Sequence, residues 1–223
     1  MNQYPVNLNL HGRKVLVVGG GGVACRKLRD LMAARAEITL VSPKVNEEIV
    51  GLLEEGTLRY EPREFRAEDV GGCFLVIAAT GDDAVNAEVS RHALGVNALV
   101  NVVDNAELSS FTLPAKVRRG DLLLTASTGG ALPAFSRAIR DRLELSFGEE
   151  YAAYLELVGE LRPVIKRRVA DPRRRKEIFT QLADFRLVDL LTEDSNLFRQ
   201  KIGEILSESL TDHVSSLIES TAR

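Results

Sequence analysis

A chain of 223 residues with 45% hydrophobic and 27% charged side chains has enough apolar content for a real core, which excludes intrinsic disorder and a collagen-like repeat. The net charge is −3 but unevenly placed: Met1 to Leu113 holds 11 basic against 15 acidic residues, and Pro114 to Arg223 holds 18 against 17. No stretch approaches the roughly 18 uninterrupted apolar residues of a spanning helix and the start has no leader-like pattern, so no membrane association and a cytoplasmic setting are expected.

From Lys14 to Leu113, short β-branched runs alternate with amphipathic stretches, the pattern of a parallel sheet covered by helices. The expected strands are residues 14–18, 37–41, 58–60, 74–78 and 98–103, a Rossmann-like half. Between them Ala24, Leu28, Leu31 and Met32 recur at helical spacing, as do Val85, Val89, His92 and Ala93, so each crossover is expected to lay an apolar stripe on the sheet. Cys25 and Cys73 stand apart in such contexts and read as reduced structural thiols.

Residues 111–117 and 122–126 are read as a hairpin turning at Arg119-Gly120-Asp121. Helices follow, with one stripe on Leu132, Phe135, Ile139 and Leu143 and another on Tyr151, Tyr154, Leu155, Val158, Leu161 and Ile165; Asp171-Pro172 breaks the series. The expected class is therefore α/β: a Rossmann-like parallel sheet, a small β-hairpin/helix segment and a C-terminal helical domain. The expected boundaries are 1–113, 114–147 and 148–223.

Directly after the first strand, Gly19-Gly20-Gly21-Gly22-Val23-Ala24 satisfies G-x-G-x-x-G/A and opens a helix near Val23. Gly19 permits the turn, Gly21 lets backbone approach a pyrophosphate, Ala24 permits close helix–strand packing, and free amides at the helix start hold phosphate charge. The acid expected about 20 residues later is replaced by Ser42-Pro43-Lys44. A serine hydroxyl suits a ribose diol and Lys44 a 2′-phosphate, so these residues leave NAD against NADP open.

In an open α/β sheet ligands lie beyond the carboxyl ends of the strands. Thr80 and Gly81, after the fourth strand, are placed to line a cofactor, while Asp82 and Asp83 read as helix caps. Asp104, ending the fifth strand, is the candidate acid/base; a turn-forming aspartate is the equal alternative. Ser127-Thr128-Gly129-Gly130 presents backbone donors to an anion or an ordinary N-cap, and both can hold. His11, His92 and His213 share no ligand spacing, so no metal site is expected. Eight basic residues face only Asp171 between Leu161 and Lys176; a solvated helix face is the commoner reading and a polyanionic metabolite or nucleic acid the alternative, with interleaved aromatics for bases lacking.

Val17-Val18-Gly19-Gly20-Gly21-Gly22-Val23-Ala24-Cys25-Arg26-Lys27, Ile77-Ala78-Ala79-Thr80, Asn101-Val102-Val103-Asp104, Ser110-Phe111-Thr112-Leu113-Pro114-Ala115 and Ser127-Thr128-Gly129-Gly130 together resemble the precorrin-2 dehydrogenase/sirohydrochlorin ferrochelatase family, including the front part of siroheme synthase. The resemblance runs from about Tyr4 to about Arg142. It implies NAD-dependent oxidation of precorrin-2 to sirohydrochlorin, in some members followed by insertion of ferrous iron. It also implies that Asp104 is the key aspartate, that Gly22, Val23, Pro43 and Lys44 contact NAD, and that residues 114–147 build a homodimer and help enclose the substrate. Thr128 stands where the family often has serine. The methyltransferase region of the fused enzyme has no counterpart before Arg223, so methylation is expected of another protein. A non-catalytic dinucleotide sensor and a helical nucleic-acid binder are the competing readings.

Overall fold

The computed structural model describes residues 3–206, so His213 and the expected helical stretch after 206 lie outside the described residues. The chain divides into two compact units, one closing at Leu113 and the other opening at Pro114.

The first unit is a five-stranded, wholly parallel sheet in the order β3-β2-β1-β4-β5, with β1 Lys14–Val18, β2 Glu37–Val41, β3 Leu58–Glu61, β4 Leu75–Ala78 and β5 Leu99–Val102. Alternation along each strand sends Val15, Val17, Ile38, Leu40, Leu75 and Ile77 to one face and Leu16, Val18, Val76, Ala78, Val100 and Val102 to the other. α1 (Gly22–Ala33) lays Ala24, Cys25, Leu28 and Leu31 on the first face, and α2 (Glu47–Glu54) adds Ile49 and Leu52. α3 (Asp83–Gly95) lays Val89 and Ala93 on the second.

The expectation of a helix in every crossover fails between β3 and β4. That connection carries only a 3₁₀ turn, Ala67–Val70, whose Val70 enters the second-face core. Arg63 pins it by donating to both carboxylate oxygens of Asp69 at 2.8 and 2.7 Å, and the Arg66 amide donates to the same carboxylate at 2.9 Å.

β5 forms the sheet edge, and the chain returns to cover it. The Ser109 and Ser110 hydroxyls accept the Val102 and Val100 amides at 2.9 and 2.8 Å, and the Ser110 amide donates to the Val100 carbonyl at 2.8 Å. Residues 111–114, expected to begin a hairpin strand, are therefore not strand; the strand starts at Ala115.

In the second unit β6 (Ala115–Arg119) and β7 (Leu122–Ala126) pair antiparallel across Gly120, whose φ of 53° suits the turn. α4 (Pro133–Ser146) and α5 (Glu150–Arg168) follow, then α6 (Pro172–Gln181), α7 (Phe185–Glu193) and α8 (Ser195–Leu206). Asp171 ends the α5–α6 connection as expected, its carboxylate capping the Arg173 amide at 2.9 Å. Tyr154, Leu157, Leu161 and Ile165 of α5 pack with Ile178, Leu190, Phe198 and Ile202. Leu157, rather than the expected Leu155, is fully buried there, a burial of about 1.5–3 kcal/mol.

Candidate active site

The strand order reverses direction between β1 and β4, which is where an open parallel sheet leaves a crevice at its carboxyl edge. Two loops flank it: the glycine loop after β1 and residues 79–82 after β4. Gly19 has φ +122°, and a Cβ on it would overlap the Ala79 carbonyl and reach 3.0 Å from the Thr80 amide, so only glycine lets the two loops close together. Gly20 holds the third wall in the same way: its α-carbon packs against the Lys44 carbonyl, and its own carbonyl accepts the Asn46 amide at 2.9 Å. Gly21 and Gly22 face open space.

That contrast is what a pyrophosphate requires. Gly19 and Gly20 are consumed by packing, while Gly21 and Gly22 leave room before the first turn of α1, where the opening amides of Gly22, Val23 and Ala24 have no intrahelical acceptor. Ala24 and Cys25 are fully buried against the sheet. The Cys25 thiol is pushed up by burial, offset in part by Arg29, and lies 3.6 Å from Glu48.

Ser42, expected to suit a ribose diol, is bonded within its own turn. It is buried, and its hydroxyl donates to the Lys44 carbonyl at 2.7 Å while the Tyr60 hydroxyl donates to its carbonyl at 3.1 Å. Its hydrogen closes the β2–α2 turn, leaving Pro43 and Lys44 as the exposed members of the trio. Thr80 is similarly engaged: its hydroxyl has the Asp82 carbonyl at 3.0 Å and Asn86 Oδ1 at 2.8 Å as acceptors, and accepts the Asp82 amide at 3.2 Å. The loop therefore offers Gly81, exposed and open, rather than the Thr80 side chain. Asp82 caps α3 through the Ala84 and Val85 amides at 2.8 and 3.2 Å; Asp83 is the first helical residue, not a cap.

β5 ends at Val102, and Asp104 lies two residues further on, in a turn closed by the Asn105 amide on the Val102 carbonyl at 3.2 Å. Its φ is +60°, a conformation aspartate tolerates better than most residues but that still marks a constrained position. The side chain is exposed and has no hydrogen-bond or ion-pair partner among the described residues.

In the second unit, residues 127–132 bond mainly to themselves. Ser127 Oγ accepts the Gly129 amide at 3.2 Å, and the Thr128 carbonyl accepts the Ala131 amide at 3.1 Å. Thr128 Oγ1 accepts both the Leu132 amide and the Ser136 hydroxyl at 3.2 Å. Neither hydroxyl is the N-cap of α4; that position is Leu132, which makes no side-chain cap bond. Gly129 and Gly130, at φ +62° and +87°, permit this turn, and the Gly130 amide is left without a bonded acceptor among the described residues. Among the described residues no three His, Cys, Asp or Glu side chains converge as a metal site.

Residues 6–115 match a family model described as "Putative NAD(P)-binding". Among curated proteins the chain is 35% identical over 215 residues to a siroheme synthase of Stutzerimonas stutzeri, covering 94% of this chain and 46% of that protein. It is 40% identical over 179 residues to the siroheme synthase of Tolumonas auensis, covering 80% and 38%. The chain spans less than half the length of these curated relatives. A solved structure described as SirC, precorrin-2 dehydrogenase, superposes with a TM-score of 0.74 at 31% identity, covering 98% of this chain and all of that one. The chain belongs to the precorrin-2 dehydrogenase family.

Several of the residues that carried the resemblance to the precorrin-2 dehydrogenase family serve the scaffold around the crevice. Asn101 donates its side-chain amide to the Phe111 carbonyl at 3.0 Å, and Ser110 binds Val100, so both hold the returning chain on β5 just before the Asp104 turn. The sequence reading missed Asn86 and Ser90, buried polar residues of α3 that bind the Thr80 loop and the Leu108 carbonyl. Their only signal is a polar residue beside an otherwise apolar helical stripe.

Proposed function

We propose that the protein oxidises precorrin-2 to sirohydrochlorin with NAD as acceptor, a step of siroheme biosynthesis. The observation that carries the reading is an exposed carboxylate without a partner among the described residues, Asp104, held in a constrained turn at the carboxyl ends of the same parallel sheet whose central strand β1 leads into the glycine loop. The residues fit a dinucleotide: Gly21, Gly22, Val23 and Ala24 at the start of α1 for the pyrophosphate, with Pro43, Lys44 and Gly81 on the exposed rims. Bound NAD supplies the hydride acceptor. Asp104 takes up the proton that leaves the macrocycle, a task suited to a carboxylate with free acceptor positions and access to solvent.

The same carboxylate suits removal of pyrrole protons on insertion of ferrous iron, and we assign that second reaction to the same site. We further propose a homodimer built by residues 114–147. Leu132 and Phe135, 55% and 54% exposed, and Leu145, 90% exposed, are apolar surface that their own unit leaves uncovered. The Gly130 amide and the Ser127–Thr128 turn are assigned to a substrate carboxylate. The free thiols Cys25 and Cys73 support a reducing compartment, the cytoplasm.

The Asp104→Asn variant tests the role of the carboxylate. It is expected to lower kcat about 10²–10⁴-fold while changing the Kd for NAD less than twofold. Turnover within a few-fold of the parent discards Asp104 as the acid/base, and a parent that binds NAD without oxidising precorrin-2 favours a sensor.

A further inference from the structure

Asn86 is the fourth residue of α3, 4% exposed, and its side-chain amide bonds to Thr80 of the crevice through both its oxygen and its nitrogen. Oδ1 accepts the Thr80 amide at 3.2 Å and the Thr80 hydroxyl at 2.8 Å, and Nδ2 donates to the Thr80 carbonyl at 3.1 Å. A buried amide is costly unless satisfied, and here it pairs with both backbone groups of a loop residue, as a neighbouring strand would. The start of α3 does not need it, because Asp82 already takes the Ala84 and Val85 amides. The loop it grips is the one that the Gly19 α-carbon touches at Ala79 and Thr80, so the clamp fixes one wall of the crevice against the other.

We infer that Asn86 is a positioning residue for the dinucleotide: by clamping Thr80 on both backbone groups it holds the Ala79–Gly81 backbone where Gly81 meets the cofactor. This rests on the cofactor reading above. Thr80, whose hydroxyl is engaged internally, then serves as the handle of the clamp rather than as a ligand.

The test replaces Asn86 by Asp in the full chain. The carboxylate keeps the acceptor role but cannot donate to the Thr80 carbonyl; only its protonated form recovers both roles. The one ionisable side chain already in this network, Asp82, faces the α3 amides.

NAD Kd, measured by calorimetry from about pH 8 to about pH 5, is expected to stay flat for the parent. For Asn86→Asp it is expected to be weaker on the order of tenfold at the upper end, where the ionised side chain carries no donor for the Thr80 carbonyl. Asn86→Ser, too short to reach and uncharged, is expected to weaken NAD by a similar factor at every pH. A variant that melts at lower temperature but binds NAD like the parent makes Asn86 merely structural and overturns the proposal, as does failure of both variants to fold. A parent chain that takes up neither NAD nor NADP overturns the cofactor reading first, and the positioning role with it.

Discussion

Gly19 shows how much of the crevice depends on one missing side chain. At φ +122° with the Ala79 carbonyl against its α-carbon, alanine there meets both an unfavourable backbone conformation and a steric overlap with main chain that cannot swing aside. Gly19→Ala is expected to cost at least about 2 kcal/mol and to weaken NAD by more than tenfold, whereas Gly21→Ala, in open space, is expected to preserve stability and affect only NAD. Urea titration paired with NAD titration separates them, and equal stability of the two variants contradicts this geometry. The glycine pattern was legible because its function depends on backbone shape. Ser42 and Thr80 were not, because a hydroxyl in a loop has the same sequence signature whether it faces a ligand or closes its own turn.

At the scale of elements, the five parallel strands were legible to within about a residue: β1, β2, β4 and β5 are short runs rich in β-branched residues, and β3, Leu58-Arg59-Tyr60-Glu61, which has none, stands out by its place in the alternation of strand and helix. The 3₁₀ crossover was not, because its stability comes from a long-lever ion pair rather than from periodicity. Asp69 is held below the usual carboxylate range, first by the hydrogen bonds from Arg63, against an opposing effect of burial. A group whose folded-state pKa is depressed stabilises fully above its unfolded value, about 3.9, and loses that contribution as pH falls through the lower folded value. The stability gap between the parent and Asp69→Asn in urea titrations is therefore expected to be constant from neutral pH to about pH 5 and to shrink steadily below about pH 4. A gap that stays constant down to about pH 3 contradicts a crossover held by this carboxylate.

For the whole molecule, the division at Leu113 and Pro114 coincides with the change from βαβ patterning to a hairpin followed by helices, a shift of hydrophobic period visible in the chain itself. The surplus of basic residues in the second unit is less uniform than a count suggests. Arg174 pairs with Glu177 at 3.2 Å, and Arg175 donates to the Val169 and Ala170 carbonyls at 2.9 and 3.1 Å, while Arg167, Arg168 and Arg173 are exposed and have no such partners among the described residues. If these free cations attract a polycarboxylate macrocycle, replacing Arg167, Arg168 and Arg173 together by Gln is expected to raise the KM for precorrin-2 several-fold, more at low than at high salt, with the Kd for NAD unchanged. An unchanged KM assigns them to a solvated helix surface.

The measurement that bears most directly on the whole account is anaerobic incubation of the purified protein with precorrin-2 and NAD, following absorbance of NADH. NADH formation is expected to require precorrin-2, to rise in proportion to sirohydrochlorin and to be lost in Asp104→Asn. No precorrin-2-dependent NADH from a folded, NAD-binding parent would contradict it.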